Sequence, residues 1–162
     1  MIYILTGPVR TGKTTALFHW TSGRQDTDGL LCPDDSDGKR YFFQLALQQQ
    51  LRLEATDLTE SSDIITIGRF HFLKSAFTAA NAYLIEAAGK ECRYLVIDEI
   101  GKLELENQGL HPAAETLITQ RQFHEKLHVI LVVRDTLITE VLMHYTIKFF
   151  RLITGQKLTT LR

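Results

Sequence analysis

Gly7-Pro8-Val9-Arg10-Thr11-Gly12-Lys13-Thr14, followed directly by Thr15, is the stretch on which the fold turns. Its spacing is a glycine, four residues, then Gly-Lys-Thr. Ile2 to Thr6 before it is a short β-favouring run that stops at Gly7, and Thr14 to Trp20 after it reads as a helix. Strand, glycine-rich loop and helix start in that order make an anion site. Glycines let the backbone curl closely round oxyanions, with successive N–H groups pointing inward. The helix start adds its positive dipole end. Lys13 is placed to meet β- and γ-phosphate oxygens, and the Thr14 hydroxyl to ligate Mg²⁺. Gly7 through Thr15 therefore imply a polyphosphate ligand.

Working outward, strand-like and helix-like patterns alternate. Leu30-Leu31-Cys32 and Arg40-Tyr41-Phe42-Phe43 flank Asp34-Asp35-Ser36-Asp37-Gly38, a hairpin signal. Leu51, Leu53 and Ala55 alternate with polar residues and extend it to a meander over about 28–56. Ile64 to Phe72 predicts one strand, or a strand running into a loop. Leu73, Ala76, Phe77, Ala80, Leu84 and Ala87 recur at helical spacing up to Gly89. Tyr94 to Ile97 and Val129 to Val133 are continuously apolar, as in parallel strands buried on both faces. Pro112 to about Arg121 predicts a helix. Leu137, Ile138, Val141, Leu142 and Tyr145 predict another, with Asp135 or Thr136 as N-cap. Phe149 to Ile153 predicts the last strand. The expectation is one α/β domain over residues 1–162, with a mostly parallel central sheet flanked by helices and the meander inserted after the first helix.

Composition excludes several classes. Among 162 residues, 18 Lys+Arg stand against 19 Asp+Glu, a net charge of −1. A protein held on nucleic acid or anionic lipid mainly by net charge is thereby excluded. A hydrophobic fraction of 44% with 23% charged residues argues against intrinsic disorder. The longest aliphatic run, Val129 to Val133, is far short of the ~20 residues of a spanning helix. The start, Met1-Ile2-Tyr3-Ile4, lacks a signal peptide's basic and apolar regions, so a cytoplasmic location is expected. Cys32 and Cys92 show no Cys-x-x-Cys spacing and read as reduced, structural thiols. His124 and His128 stand four apart but lack the glutamate of a zincin motif, so zinc chemistry is not expected.

A second element must hold the metal. Tyr94-Leu95-Val96-Ile97 ends in Asp98-Glu99. Asp98, at the end of a buried strand, suits Mg²⁺ bound through its water shell. Glu99 directly after it suits a general base that activates water, and water as nucleophile means hydrolysis.

With these residues, the sequence resembles the nucleoside-triphosphatase family first described from thermophiles, which has a human cancer-related relative. The resemblance rests on Ile4 through Thr15 and on Val96-Ile97-Asp98-Glu99-Ile100-Gly101-Lys102-Leu103-Glu104-Leu105. It implies a P-loop NTPase fold of the additional-strand, catalytic-glutamate division. The implied activity is hydrolysis of ATP, GTP and other nucleotides with little base selectivity. By position, Gly7 to Thr15 would bind phosphates, Asp98 would bind Mg²⁺ and Glu99 would activate water. Departures are Val9-Arg10 where the family has small or acidic residues, a loose echo of its hairpin in Asp37-Gly38-Lys39-Arg40, and a different ending at Thr154-Gly155-Gln156-Lys157.

An arginine that meets the γ-phosphate would complete such a site. Arg10, Arg69 and Arg134 are the candidates. Arg134 is best placed, just beyond the carboxyl end of a buried strand. Lys102 either reaches phosphate or fixes Glu104 at the surface. Phe70, Phe72 and Tyr41 to Phe43 are open to two readings, a sandwich for a base or core packing. Two other functions fit a phosphate loop. A nucleoside or nucleotide kinase would need an arginine-rich lid, and Arg121 and Arg134 lie far apart in sequence. A nucleotide-gated interaction module would use the meander and the loop after Glu99 as switches. No feature names a protein partner.

Overall fold

The computed structural model describes residues 1–120 and 126–161. Arg121, with the predicted end of its helix, and His124 lie outside the described residues. In chain order, β1 (Ile2–Gly7), α1 (Lys13–Thr21) and β2 (Thr27–Leu31) come first. The strands β3 (Tyr41–Gln44), β4 (Gln49–Arg52), β5 (Ile64–Ile67) and β6 (Phe70–Leu73) follow. Then come α2 (Lys74–Ala88), β7 (Tyr94–Ile100), α3 (Lys102–Leu105) and α4 (His111–Gln120). β8 (His128–Arg134), α5 (Ile138–His144) and β9 (Phe150–Ile153) close the sequence of elements, before a 3₁₀ segment over Gly155–Thr160.

A seven-stranded sheet runs β4-β3-β2-β7-β8-β1-β9. Its middle is parallel, and β8 lies between β1 and β7. The continuous apolar runs sit where both sheet faces are covered. Leu95, Ile97, Val129, Leu131 and Val133 face a core shared with α2, α4 and α5. Their neighbours Tyr94, Val96, Ile130 and Val132 face the opposite core, with Leu17 of α1 and Leu158 of the 3₁₀ segment. The mostly parallel α/β architecture flanked by helices is as expected.

Three details differ from the sequence reading. The meander is not set apart from the sheet: β2 pairs in parallel with β7, and β3 and β4 continue the sheet antiparallel, with β4 at its edge. Close approach permits this. A Cβ on Gly29, whose φ is +118°, would lie 2.1 Å from the Val96 carbonyl oxygen. Second, Ile64 to Phe72 is two strands joined by Gly68-Arg69. Gly68 has φ +56°, which a two-residue hairpin turn demands at its first central position. Third, neither Asp135 nor Thr136 caps α5. Both lie in a 3₁₀ turn, Asp135–Leu137, and Asp135 Oδ1 accepts from the Thr136 N–H instead.

Candidate active site

The parallel register brings the carboxyl ends of four strands to one rim, since β1 pairs with β8, β8 with β7, and β7 with β2. Gly7 at the end of β1 pairs with Arg134 at the end of β8. From Gly7 the chain loops to α1, with Arg10 at φ +60° and Gly12, the residue before the helix, at φ +76°. Thr11 Oγ1 donates to the Pro8 carbonyl at 2.8 Å, a crosslink within the loop. Lys13 Nζ folds back and donates to the carbonyls of Gly7 (2.9 Å) and Pro8 (2.6 Å).

A strand normally sends successive side chains to opposite faces. Asp98 and Glu99 nevertheless both line the same cleft. The reason is a bulge: Ile97 pairs with Leu131 and Ile100 with Val133, so β7 carries one residue more than β8 there, and Glu99 takes up φ +67°. Asp98 is 1% exposed. Its Oδ2 accepts from Thr14 Oγ1 at 2.8 Å and from the Cys32 N–H at 3.0 Å. Its Oδ1 is buried without a hydrogen-bond partner among the described residues. Burial pushes the Asp98 carboxyl up to about 6, against the lowering effect of the Cys32 N–H. Burial, then Glu99 and Asp98, hold the Cys32 thiol well above its ordinary value, so it stays protonated. An unpartnered carboxylate oxygen beside a hydroxyl fits a hard divalent cation that keeps several of its waters. No group of three or more His, Cys, Asp or Glu suited to a metal occurs among the described residues.

Glu99 faces two guanidinium groups. Arg40 Nη1 donates to its Oε2. Arg134 Nη2 lies 4.0 Å from its Oε1. Arg40, at the start of the β3 edge hairpin, was visible in the sequence only through the loose echo at Asp37 to Arg40. Its pairing with a residue 59 positions away was not. The cleft has a volume of about 970 Å³ and is also lined by Val9, Arg10, Lys13, Thr14 and Thr15. Arg69 lines it too, with its guanidinium 5.0 Å from the Phe70 ring, so the three candidate arginines share one cavity. The two aromatic readings overlap: Phe42 and Phe72 are buried in the core yet border the cleft beside half-buried Tyr41 and Phe70, and Phe43 packs against the opposite core.

Glu104 is not held at the surface by Lys102. It is 4% exposed and accepts from the backbone N–H groups of Gly101 and Leu110, both at 2.9 Å. Its carboxylate thus ties down the loop that follows Glu99. Lys102 remains exposed at the cleft. Burial raises the Glu104 carboxyl above its ordinary value, opposed by these two N–H groups.

A family model described as NTPase matches residues 2–157. The chain belongs to this NTPase family. The solved structure of THEP1 from the hyperthermophile Aquifex aeolicus is similar to this chain with a TM-score of 0.73. Sequence identity is 16%, over 100% of this chain and 97% of that one, so the likeness shows a shared fold. No curated protein matches the chain significantly in sequence. Among the described residues, no helix is long and apolar enough to cross a membrane.

Proposed function

We propose that the chain hydrolyses nucleoside 5′-triphosphates, ATP and GTP among them, to the diphosphate and phosphate in a Mg²⁺-dependent reaction of broad base specificity. The observation that carries this reading is the bulged pair Asp98–Glu99. The first carboxylate is hydrogen-bonded to Thr14 of the phosphate loop, and the second turns into the same cleft. Gly7, Pro8, Val9, Arg10, Thr11, Gly12, Lys13, Thr14 and Thr15 would wrap the phosphates, with Lys13 exchanging its carbonyl contacts for phosphate oxygens. Thr14 and Asp98 would hold Mg²⁺, which when bound neutralises charge on the β- and γ-phosphate oxygens.

Glu99 takes a proton from water as the water oxygen bonds to the γ-phosphorus. The bond from that phosphorus to the β,γ-bridging oxygen breaks, and its electron pair leaves with the diphosphate. Lys13 and Arg134 stabilise the charge on the phosphoryl oxygens. Half-buried Tyr41 borders the cleft, and stacking of a base on an aromatic ring there would favour low selectivity, since every base has a face to stack. On this reading residues 1–162 act as one nucleotide-binding domain in the cytoplasm, with no nucleic acid or membrane partner.

Phosphate release from Mg²⁺-ATP and Mg²⁺-GTP tests the proposal. Glu99→Gln should lower it by about 10²–10⁴-fold. Equal low rates in wild type and variant would sink the assignment of Glu99. Chelating divalent ions should abolish release, and added Mg²⁺ should restore it. With labelled ATP and nucleoside acceptors, label should appear only as free phosphate; label on an acceptor would establish a kinase instead.

A further inference from the structure

Arg40 is pinned in its backbone while its side chain carries the long-range contact. Its N–H donates to Glu54 Oε1 at 2.9 Å, which anchors the start of β3. The side chain is 20% exposed and lies over the Phe70 ring, 5.0 Å from its centre. Its Nε has Asp34 Oδ1 at 3.7 Å, and its Nη1 reaches Glu99. The guanidinium can therefore turn about the side-chain torsions without moving the strand. It borders the same cleft as Lys13 and Thr14.

This contact sits on the residue read above as the base. Oε2 accepts from Arg40, while Arg134 stands 4.0 Å from Oε1, in ion-pair range but beyond a hydrogen bond. A lone pair engaged by an N–H is not free to orient a water for attack. Phosphate competes well for the same donors. It accepts bidentate guanidinium bonds as a carboxylate does, with three terminal oxygens and more charge.

We propose that Arg40 is a substrate-displaced latch on Glu99. The ion pair keeps the carboxylate from its water, and the γ-phosphate of an entering nucleoside triphosphate draws Arg40 away and releases it. A nucleoside diphosphate has no γ-phosphate and leaves the latch closed. The proposal rests on the reading of Glu99 as the base, and it adds a reason for hydrolysis to wait until the scissile group is in place.

The test is a binding cycle that needs no turnover. Affinities for a β,γ-methylene triphosphate analogue and for the diphosphate are measured by calorimetry in wild type, Glu99→Gln, Arg40→Ala and the double variant. Removing the Glu99 charge frees Arg40, so Glu99→Gln should bind the analogue about 10-fold more tightly and the diphosphate unchanged. Arg40→Ala should weaken the analogue about 10-fold, again sparing the diphosphate. In the double variant the gain from Glu99→Gln should vanish, and Arg40→Lys should retain part of it. If Arg40→Ala does not fold, the Arg40→Lys background carries the same comparison. Equal gains in both Arg40 backgrounds would overturn the latch. So would equal losses for analogue and diphosphate, the signature of an arginine that only braces the hairpin. Should phosphate release prove indifferent to Glu99→Gln while the cycle still shows coupling, the base assignment fails and the exchange of Arg40 partners stands.

Discussion

At the scale of single residues, two buried carboxylates serve opposite ends. Asp98 keeps one oxygen unpartnered among the described residues, an arrangement that costs stability and suits a ligand. Glu104 has both oxygens engaged by N–H groups and holds the loop after Glu99. Glu104→Ala leaves those two donors without acceptors, and should cost roughly 2–4 kcal/mol in chemical denaturation. The penalty should depend on pH. Burial raises the Glu104 carboxyl, so the folded chain holds that proton more tightly than the unfolded one. Its contribution is full below the ordinary glutamate value and falls as pH rises through the raised one. The cost of Glu104→Ala should therefore shrink from mildly acidic toward neutral pH. A penalty that grows over that range would contradict the shift.

Among elements, α2 and α4 are joined by one amide. Asn81 Nδ2 donates to the carbonyls of Phe77 (2.8 Å) and Gly109 (2.9 Å), and its Oδ1 accepts from the Ala113 N–H at 2.9 Å. It thereby satisfies a first-turn donor of α4 that the helix itself cannot. Asn81→Ala should cost about 1–3 kcal/mol, read from the denaturation midpoint. Loss of the nearby anchor should also raise hydrogen exchange at Leu110 to Ala114. Helical spacing in the sequence showed that α2 exists, but not that a polar residue on it starts another helix. The same limit applied at α5, where Asp135 looks like a cap because caps are recognised by residue type. The 3₁₀ turn moved the helix start beyond its reach.

For the whole molecule, the decisive joint is β2 against β7, which sets Cys32 beside Asp98 and carries the hairpin bearing Arg40. Gly29→Ala would drive a methyl into the Val96 backbone, 2.1 Å from its carbonyl oxygen. Two neighbouring strands would have to part, so the loss should exceed about 4 kcal/mol. Thermal unfolding of the soluble fraction would measure it, and a melting temperature within a few degrees of wild type would refute the account. The net charge of −1 does not oppose binding of an anionic nucleotide, because Lys13, Arg40 and Arg134 are gathered at one rim.

What the sequence determined by itself is local. Gly7 to Thr15 declare a phosphate loop because tight backbone curvature and a lysine beside a helix start depend on neighbours in the chain. The runs Tyr94–Ile97 and Val129–Val133 declare buried parallel strands because burial on both faces leaves no room for polar residues. The resemblance to the family rested on Ile4 to Thr15 and on Val96 to Leu105, which are equally local stretches. Only the tertiary structure decided how the pieces meet. Thr14 and Asp98 are 84 residues apart and Arg40 and Glu99 are 59 apart. Neither pairing leaves a periodic trace, since each depends on which strands become neighbours. The bulge that turns Glu99 into the cleft is likewise a mismatch between two strands, and a mismatch exists only once both are paired.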